Sequence, residues 1–274
     1  MRRRLPPTLL AGGLLVGLVI VTALVSVVWT PVDPTHVEVG QRLQGPTAGY
    51  PLGTDQVGRD ELSRLMAGAT NTLVIGVVTV LIALGVGVPL GGIAALYRGR
   101  LEDATMRLSD VLLAFPAILL AILFAAVFQA SRFTAMAAIG IALVPVFARV
   151  VRGAGLQIMQ QEYVTIVHTY GGSKGWIFAR HLLPNVSSVL IVQATVAFAV
   201  AILAEAALSY LGLGTPPPTP SWGRMLSESQ TYLNQAPLLA VWPGVAIALS
   251  VLGFNLLGDG LRDLLDPQLG ELSS

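Results

Sequence analysis

Long apolar stretches, interrupted by short groups of charged residues, dominate the pattern of this chain. A helix needs about 20 mostly apolar residues to cross the hydrocarbon core of a bilayer. Six stretches meet or approach that length, so the pattern predicts an all-α integral membrane protein with about six transmembrane helices. We place the six spans at 9–29, 71–97, 111–130, 135–151, 186–211 and 233–257.

Two of these stretches contain residues that are unusual inside helices. The span 135–151 is short and includes Pro145, which a membrane helix tolerates when neighbouring helices satisfy the freed carbonyl. The span 71–97 is longer than a bilayer requires and combines Pro89 with several glycines. Small residues allow close helix packing. We therefore expect the second helix to be kinked or tightly packed.

The first apolar stretch follows three arginines and is uncharged from Leu5 to Val32. A secretory signal peptide has an apolar core of about 7–15 residues and a small-residue cleavage site. This core is longer, and Trp29-Thr30-Pro31 does not resemble such a site. A retained first helix is the favoured interpretation, and a cleaved signal is the alternative.

The basic residues indicate the orientation, because Lys and Arg are enriched in cytoplasmic loops. With six spans and the N-terminus inside, eleven of the sixteen basic residues fall on the cytoplasmic side. Both termini are therefore predicted to be cytoplasmic. The five outer basic residues are Arg42, Arg59, Arg64, Arg132 and Arg224.

Composition supports the membrane class and removes several kinds of chemistry. Only 11% of the residues are charged, against roughly 25% in soluble domains. A net charge of +1 argues against a nucleic-acid partner. The absence of cysteine excludes disulfides, thiol catalysis and cysteine-ligated metals, and the three histidines, at 36, 168 and 181, are scattered. We predict no catalytic, cofactor-binding or metal site in this chain.

The sequence contains no phosphate-binding loop of the Gly-x-x-x-x-Gly-Lys-Ser/Thr type. The stretch Gly172-Ser173-Lys174-Gly175 lacks both the spacing and the hydroxyl after the lysine. Any dependence on ATP must therefore come from a partner. The apolar stretches also contain no histidine and no nucleophile with a base, which argues against a membrane enzyme.

The long inner loop between the fourth and fifth spans predicts a helix–turn–helix. Residues 161–170 suit a short helix, which Gly171 and Gly172 then stop. Ser173 suits the cap of a second helix, and Pro184 is expected to break the chain before the next span. On spacing alone, an ordinary amphipathic connector is the simpler interpretation.

The residues of this loop resemble the cytoplasmic signature of bacterial ATP-binding-cassette (ABC) import permeases. The usual Ala-Ala pair is replaced by Ile166-Val167, and the usual arginine by His168. The positions that match the signature are Glu162, Tyr163, Val164, Gly171, Ile177, Leu183, Pro184 and Asn185.

Three further segments, in order along the chain, extend the resemblance from about residue 50 to 267. The stretch 53–60, Gly-Thr-Asp-Gln-Val-Gly-Arg-Asp, resembles the outer-loop motif of peptide and nickel permeases. The stretch 208–223 is similar to their fifth-helix exit, and its prolines 216–218 suit a stiff rim or a spacer. The stretch 255–267 resembles the C-terminus of the second, C-type permease subunit of dipeptide and oligopeptide systems.

The resemblance implies a permease subunit of an ATP-driven importer in the bacterial plasma (inner) membrane. Its partners would be a homologous second permease, two ABC ATPase domains that hold ATP and Mg²⁺, an extracytoplasmic substrate-binding protein and membrane lipid. A di- or oligopeptide is the expected substrate, and nickel or glutathione is the alternative within the family. An ion-driven secondary transporter is the alternative from another class, although several intramembrane charges are typical of that class and Glu205 is the only acid well inside a span.

The resemblance also implies a coupling role for the inner loop. Glu162 would make polar contacts at the rim of an ATPase groove, and Tyr163, Val164 and Val167 would fill it. Gly171 would set the turn, with Pro184 closing the segment. The family core would occupy 71–267, between an N-terminal helix and outer loop at 1–70 and a tail at 268–274.

Two polar groups outside this loop are further candidates. Charges at the depth of Glu205 are costly, so this residue either lines the translocation pathway or is a structural carboxylate bonded to a neighbouring helix. We favour the structural role because Glu205 lies only about two turns from Leu211, at the outer end of its span. Asp55, Arg59 and Asp60 either contact the binding protein or pair internally, and we favour internal pairing. They lack the pattern of a calcium loop.

Overall fold

The computed structural model of the protein describes residues 5–265, apart from the side chain of His168. This part of the chain is helical, with a single isolated antiparallel bridge between Thr54 and Asp60. The tail at 268–274 and the basic residues Arg2, Arg3 and Arg4 lie outside the described residues. The ten α-helices are α1 Pro7–Val28, α2 Glu61–Leu96, α3 Arg100–Ala114, α4 Ala117–Phe128, α5 Arg132–Met159, α6 Glu162–Thr169, α7 Lys174–Ile177, α8 Leu183–Tyr210, α9 Trp222–Ser229 and α10 Leu238–Leu265.

Five helices in the described range are long and apolar enough to cross a membrane: α1, α2, α5, α10 and the run 174–210 that ends in α8. If α3 and α4 together count as one crossing, successive crossings run in opposite directions, and α2 and α5 run parallel, with Gly87 against Val144 and Gly91 against Ala148. The two ends of the bundle therefore differ in what they carry. One end carries α6 and the other carries α9, and we call them the α6 end and the α9 end. The all-α membrane fold expected from the sequence is confirmed.

The third predicted span, 111–130, is wrong as a single straight helix. The chain instead forms α3 and α4, which meet at an angle of 86°. Pro116 is the cause, because the residue before a proline is driven out of the helical region, and Phe115 is extended at φ −92° and ψ 127°. With 12 residues, α4 is only about 18 Å long, too short to cross the hydrocarbon core alone. The protein has six spans only if this bent pair counts as one.

The second span begins ten residues earlier than the hydropathy pattern suggested. Asp60 caps α2, since its side chain accepts a hydrogen bond of 2.9 Å from the Ser63 amide. The helix has 36 residues and is about 54 Å long, so it extends beyond a hydrocarbon core of about 30 Å. Its first turns lie among the polar segments of the α9 end.

The glycines of α2 allow the tight packing that the sequence predicted. A Cβ atom on Gly87 would lie 2.7 Å from the Val144 carbonyl oxygen of α5, and one on Gly91 would lie 2.8 Å from Val151 Cβ. The fourth predicted span, which had the weakest pattern, belongs to α5 and is the most buried span of the described chain. Its small residues Ala138, Gly140 and Ala148 are buried.

The expected break at Pro184 is also wrong, because the helix runs on from Lys174 to Tyr210. Residues Phe178–Leu182 form a π-helical turn, in which the Leu183 amide bonds to the Phe178 carbonyl, five residues back. Proline disrupts a helix by losing an amide donor and by crowding the carbonyl four residues before it. The wider π turn changes the position of that carbonyl, and Pro184 occupies the first turn of α8, where proline is tolerated.

Candidate functional site

The short helix α6 presents two faces of different exposure. Val164 is completely buried in the core of the chain, and Val167 is half-buried against the same core. The opposite face is exposed: Tyr163 at 42%, Ile166 at 56% and Tyr170 at 88% of their surface. Val164 therefore anchors the helix to its own chain, and it does not belong to the face that remains free.

The turn after α6 depends on Gly171. Its φ of +85° lies in the left-handed region that only glycine adopts without strain. The amide of Gly172 donates to the Val167 carbonyl at 3.0 Å, so the carbonyls at the end of α6 are satisfied as in a Schellman motif. Ser173 then caps α7 by accepting from the Trp176 amide at 3.2 Å. The helix stop and the cap predicted from the sequence are both confirmed.

An open groove of about 530 Å³ lies beside this turn. Ile166 of α6 and Tyr170, the residue after this helix, line one side, and Trp176 of α7 lines the other. At 88% and 49% exposed, Tyr170 and Trp176 are large apolar side chains turned outward at a helix end. These side chains leave apolar surface at this end of the molecule that a partner could cover.

His181, which the sequence did not single out, links the parts of the segment. Its ring lies 4.8 Å from that of Trp176 and 5.6 Å from that of Tyr163. Lys174 adds a contact to the end of α2, with its Nζ atom 3.9 Å from the centre of the Tyr97 ring. Of the other predicted residues, Glu162 and Pro184 are exposed at the two ends of the segment. No sequence signal identifies the contacts of the helix 174–210 with Tyr163 and Tyr97, because those residues belong to α6 and to the end of α2.

The predicted cluster at the α9 end is paired internally. The Asp55 carboxylate forms ion pairs with Arg59 at 2.5 Å and with Arg64 at 2.6 Å. Asp60 holds the first turn of α2 through Ser63 and makes no ion pair with Arg59. Asp55 is almost completely buried.

The sequence analysis missed the residue that completes this cluster. Glu228 of α9 accepts from Arg64 at 2.7 Å, from Arg59 at 3.0 Å and from Arg224 at 3.0 Å. Burial alone would raise the pKa of Glu228, but the charge and hydrogen bonds of Arg64, with those of Arg224, lower this pKa to about 2. The carboxylate therefore stays ionised and joins the outer loop to α9 across more than 160 residues of sequence.

Two tryptophans reinforce the same junction. The indole N–H of Trp222 donates to the Leu65 carbonyl at 2.9 Å, and that of Trp242 donates to the Leu52 carbonyl at 3.2 Å. The segments 29–60 and 211–237 thus form one structure at the α9 end, which we call the outer cap because the sequence predicts that this end faces outward.

Glu205 is buried within α8 at 1% exposure. One carboxylate oxygen accepts from the Ser209 hydroxyl at 2.6 Å, and that hydroxyl accepts in turn from the Thr215 amide at 3.1 Å. The other oxygen has no hydrogen-bond partner among the described residues. The side chain therefore faces the interior of this chain and the loop after α8.

A model of the family described as binding-protein-dependent transport system inner membrane component matches residues 87–271. The chain belongs to this family. It is the membrane-spanning permease subunit of an ABC importer, a multi-pass inner-membrane protein whose family works with ATPases and substrate-binding proteins. The resemblance to C-type permeases is confirmed.

Two relatives cover nearly the whole chain. A dipeptide transport system permease protein of Alkalihalophilus pseudofirmus is 42% identical over 260 residues, which are 93% of this chain and 86% of that protein. A glutathione transport system permease protein of Pectobacterium atrosepticum is 40% identical over 94% of this chain and 86% of its own length.

A solved structure supports the fold. The chain matches inward-facing structures of the MetNI methionine ABC transporter with a TM-score of 0.61, at 18% identity, over 74% of this chain and 96% of that chain. At this identity the likeness concerns the fold alone.

Proposed function

We propose that this permease subunit imports di- or oligopeptides together with a homologous second permease. The observation that carries the proposal is the 41–42% identity, over 93–94% of this chain, to permeases named for dipeptide or di/tripeptide transport. A glutathione-transport permease at 40% identity favours glutathione as the second candidate. Glutathione is itself a small peptide, so the two substrates share charged ends and peptide groups.

We further propose that α6 transmits movement of the ATPase to the spans. Val164 fixes the buried side of α6 to the core of the chain, and the Tyr163 ring contacts His181 of the next helix. Tyr163, Ile166 and Tyr170 keep exposed surface for a partner. Glu162 suits the polar rim of that contact because it is exposed at the first turn of α6. ATP-driven closure of the ATPases would then move α6 and the spans together, since a partner shifts an equilibrium only by contacting its two states differently.

In this proposal the chain itself carries no catalytic group, and the partner ATPases hold ATP and Mg²⁺. The α6 end faces the cytoplasm with both termini, and the outer cap faces the binding protein. Arg98, Arg149, Arg152, Lys174 and Arg180 all lie towards the α6 end, which supports this orientation.

The test compares two glycine variants in the reconstituted complex. Gly171→Ala puts a side chain on a residue with φ of +85°, whereas Gly175→Ala, four residues away, adds one in open space without a positive φ. We expect Gly171→Ala to lower ATPase stimulation by peptide-loaded binding protein at least severalfold, and Gly175→Ala to leave it unchanged. Equal stimulation in both variants would contradict the coupling role. Stimulation by glutathione-loaded but not by peptide-loaded binding protein would select the second substrate.

A further inference from the structure

An apolar crevice, separate from the coupling segment, lies between α1 and α10 towards the α9 end. Its volume is about 200 Å³. Leu18 and Thr22 of α1 form one side, and Val245 and Leu249 of α10 form the other. Ala69 of α2 and Trp222 of α9 form its floor and are almost fully buried, at 1% and 3% exposed.

The crevice exists because α1 and α10 touch closely over only part of their length. Towards the α6 end, a Cβ atom on Gly12 would lie within 2.8 Å of the Leu257 backbone, and one on Gly253 within 2.8 Å of Leu15 Cβ. Towards the α9 end, the large rings of Trp222 from α9 and Trp242 from α10 line the gap. The gap is therefore part of the helix geometry.

The surface of the crevice offers almost no hydrogen-bonding groups. The indole N–H of Trp222 is bonded to Leu65, and that of Trp242 is bonded to Leu52, so neither is free to donate into the gap. Thr22 supplies the only hydroxyl of its lining. A buried water needs two to four polar partners, so water is a poor occupant of this space.

The depth and width of the crevice select its occupant. Thr22 and Leu18 lie about 9 and 15 Å from the end of α1, which places them in the outer half of a hydrocarbon core about 30 Å thick. The mouth opens between exposed residues: Leu18 at 57%, Val245 at 46% and Leu249 at 38%. An α-helix is about 10 Å wide with its side chains and does not fit into a gap of this volume. An acyl chain is narrow, apolar and present at that depth.

We propose that this crevice is a binding site for one acyl chain of a membrane phospholipid. The site is independent of the substrate and coupling roles proposed above. Because Trp222 is the first residue of α9, and Glu228 lies on the same short helix, a bound chain would support the outer cap from the membrane side.

The experiment uses the assembled transporter in nanodiscs containing a phospholipid with a diazirine in one acyl chain. After illumination, mass spectrometry locates the labelled residues. We expect labelling of Ala69 or Trp222, which bulk lipid cannot reach. Leu81 of α2, which is 61% exposed, serves as the internal reference for ordinary lipid contact.

Ala246→Phe supplies the control, because Ala246 lines the crevice and a phenyl ring would fill it. We expect this variant to lose at least nine-tenths of the labelling at Ala69 and Trp222, with labelling of Leu81 unchanged as evidence of a folded, lipid-embedded bundle. Two results would overturn the proposal: labelling confined to exposed residues such as Leu18, or floor labelling that survives Ala246→Phe. Cross-linking of the second permease to a photoreactive amino acid at position 246 would identify a protein side chain as the occupant instead.

Discussion

At the scale of single residues, the ion cluster of the outer cap shows how buried arginines are compensated by shared carboxylates. Arg64 is 3% exposed in its side chain and contacts two carboxylates, Asp55 and Glu228, within 2.7 Å. Burying a charge is costly unless a partner compensates it. Arg59 and Arg224, which also counted as outer cations, contact Glu228 as well. Three of the five outer basic residues are thus engaged in this cluster.

We expect Glu228→Gln to destabilise the protein on the order of 3 kcal/mol, because it leaves buried guanidinium groups without their shared carboxylate. The pKa of Glu228 is lowered from 4.5 to about 2, so its contribution is complete above about pH 4.5 and is lost as the pH falls towards 2. Thermal unfolding in detergent between pH 7 and pH 3 measures the effect. The variant should melt below the wild type at pH 7, and the gap should narrow in acid.

Glu38→Gln is the matched control for this variant. Glu38 is an exposed outer-loop carboxylate that accepts one hydrogen bond of 2.9 Å, from Tyr50. Exposed polar contacts contribute little, so its melting temperature should stay close to that of the wild type. A gap between Glu228→Gln and wild type that stays constant from pH 7 to pH 3 would contradict the assigned role.

Among the elements, α2 and α5 form the central pair of the bundle. Their contact places backbone against backbone at Gly87 and Gly91, opposite Val144 and Ala148. The same helix carries Gly85, on which a Cβ atom would meet nothing within 4 Å. Glycine in α2 is therefore required at some positions and free at others, two residues apart.

We expect Gly87→Val to reduce the yield of folded protein strongly and to lower its stability by about 1–3 kcal/mol or more, because the added side chain forces α2 and α5 apart. Gly85→Val has the same change in chemistry and should fold like the wild type. Size-exclusion chromatography and thermal unfolding of both variants make the comparison. Equal behaviour of the two would show that the α2–α5 contact is looser than the structure indicates.

At the scale of the whole molecule, the spans bring residues 5 and 265, the two ends of the described part, to the α6 side. The chain crosses from the α6 end to the α9 end in α1 and returns in α2. The bent pair α3–α4 carries it back towards the α9 end, α5 and α8 cross in turn, and α10 ends at the α6 end. The two ion pairs of α3 with α5, Arg149–Asp110 at 2.5 Å and Arg152–Glu102 at 2.5 Å, fix α3 at the α6 end.

The orientation can be tested cleanly because the chain contains no cysteine. We expect Ala48→Cys, in the exposed outer loop, to react with a membrane-impermeant maleimide in intact cells. Gln161→Cys, exposed just before α6, should react only after the membrane is permeabilised. The reverse pattern would invert the proposed topology while leaving the fold unchanged.

Much of the molecule was predictable from its sequence, and the errors have local causes. Hydropathy located five spans, and for most of the span ends the predicted residue lies within a few positions of the observed one. The helix stop at Gly171 and the cap at Ser173 were also predicted correctly. The expected break at Pro184 failed because a π turn accommodates the proline, and the straight third span failed because Pro116 is not accommodated. A proline thus leaves the helix continuous at Pro184 and breaks it at Pro116, depending on the turn that precedes it.

The sequence by itself determined the membrane class, the positions of most spans and the family, because hydropathy and contiguous motifs depend on residues that are neighbours in the chain. Only the tertiary structure decided which side of α6 is buried, how Glu228 joins Arg59 and Arg64, and where α1 and α10 leave a crevice. These features depend on contacts between residues far apart in sequence. Such contacts arise from the packing of whole helices, and no local pattern records them.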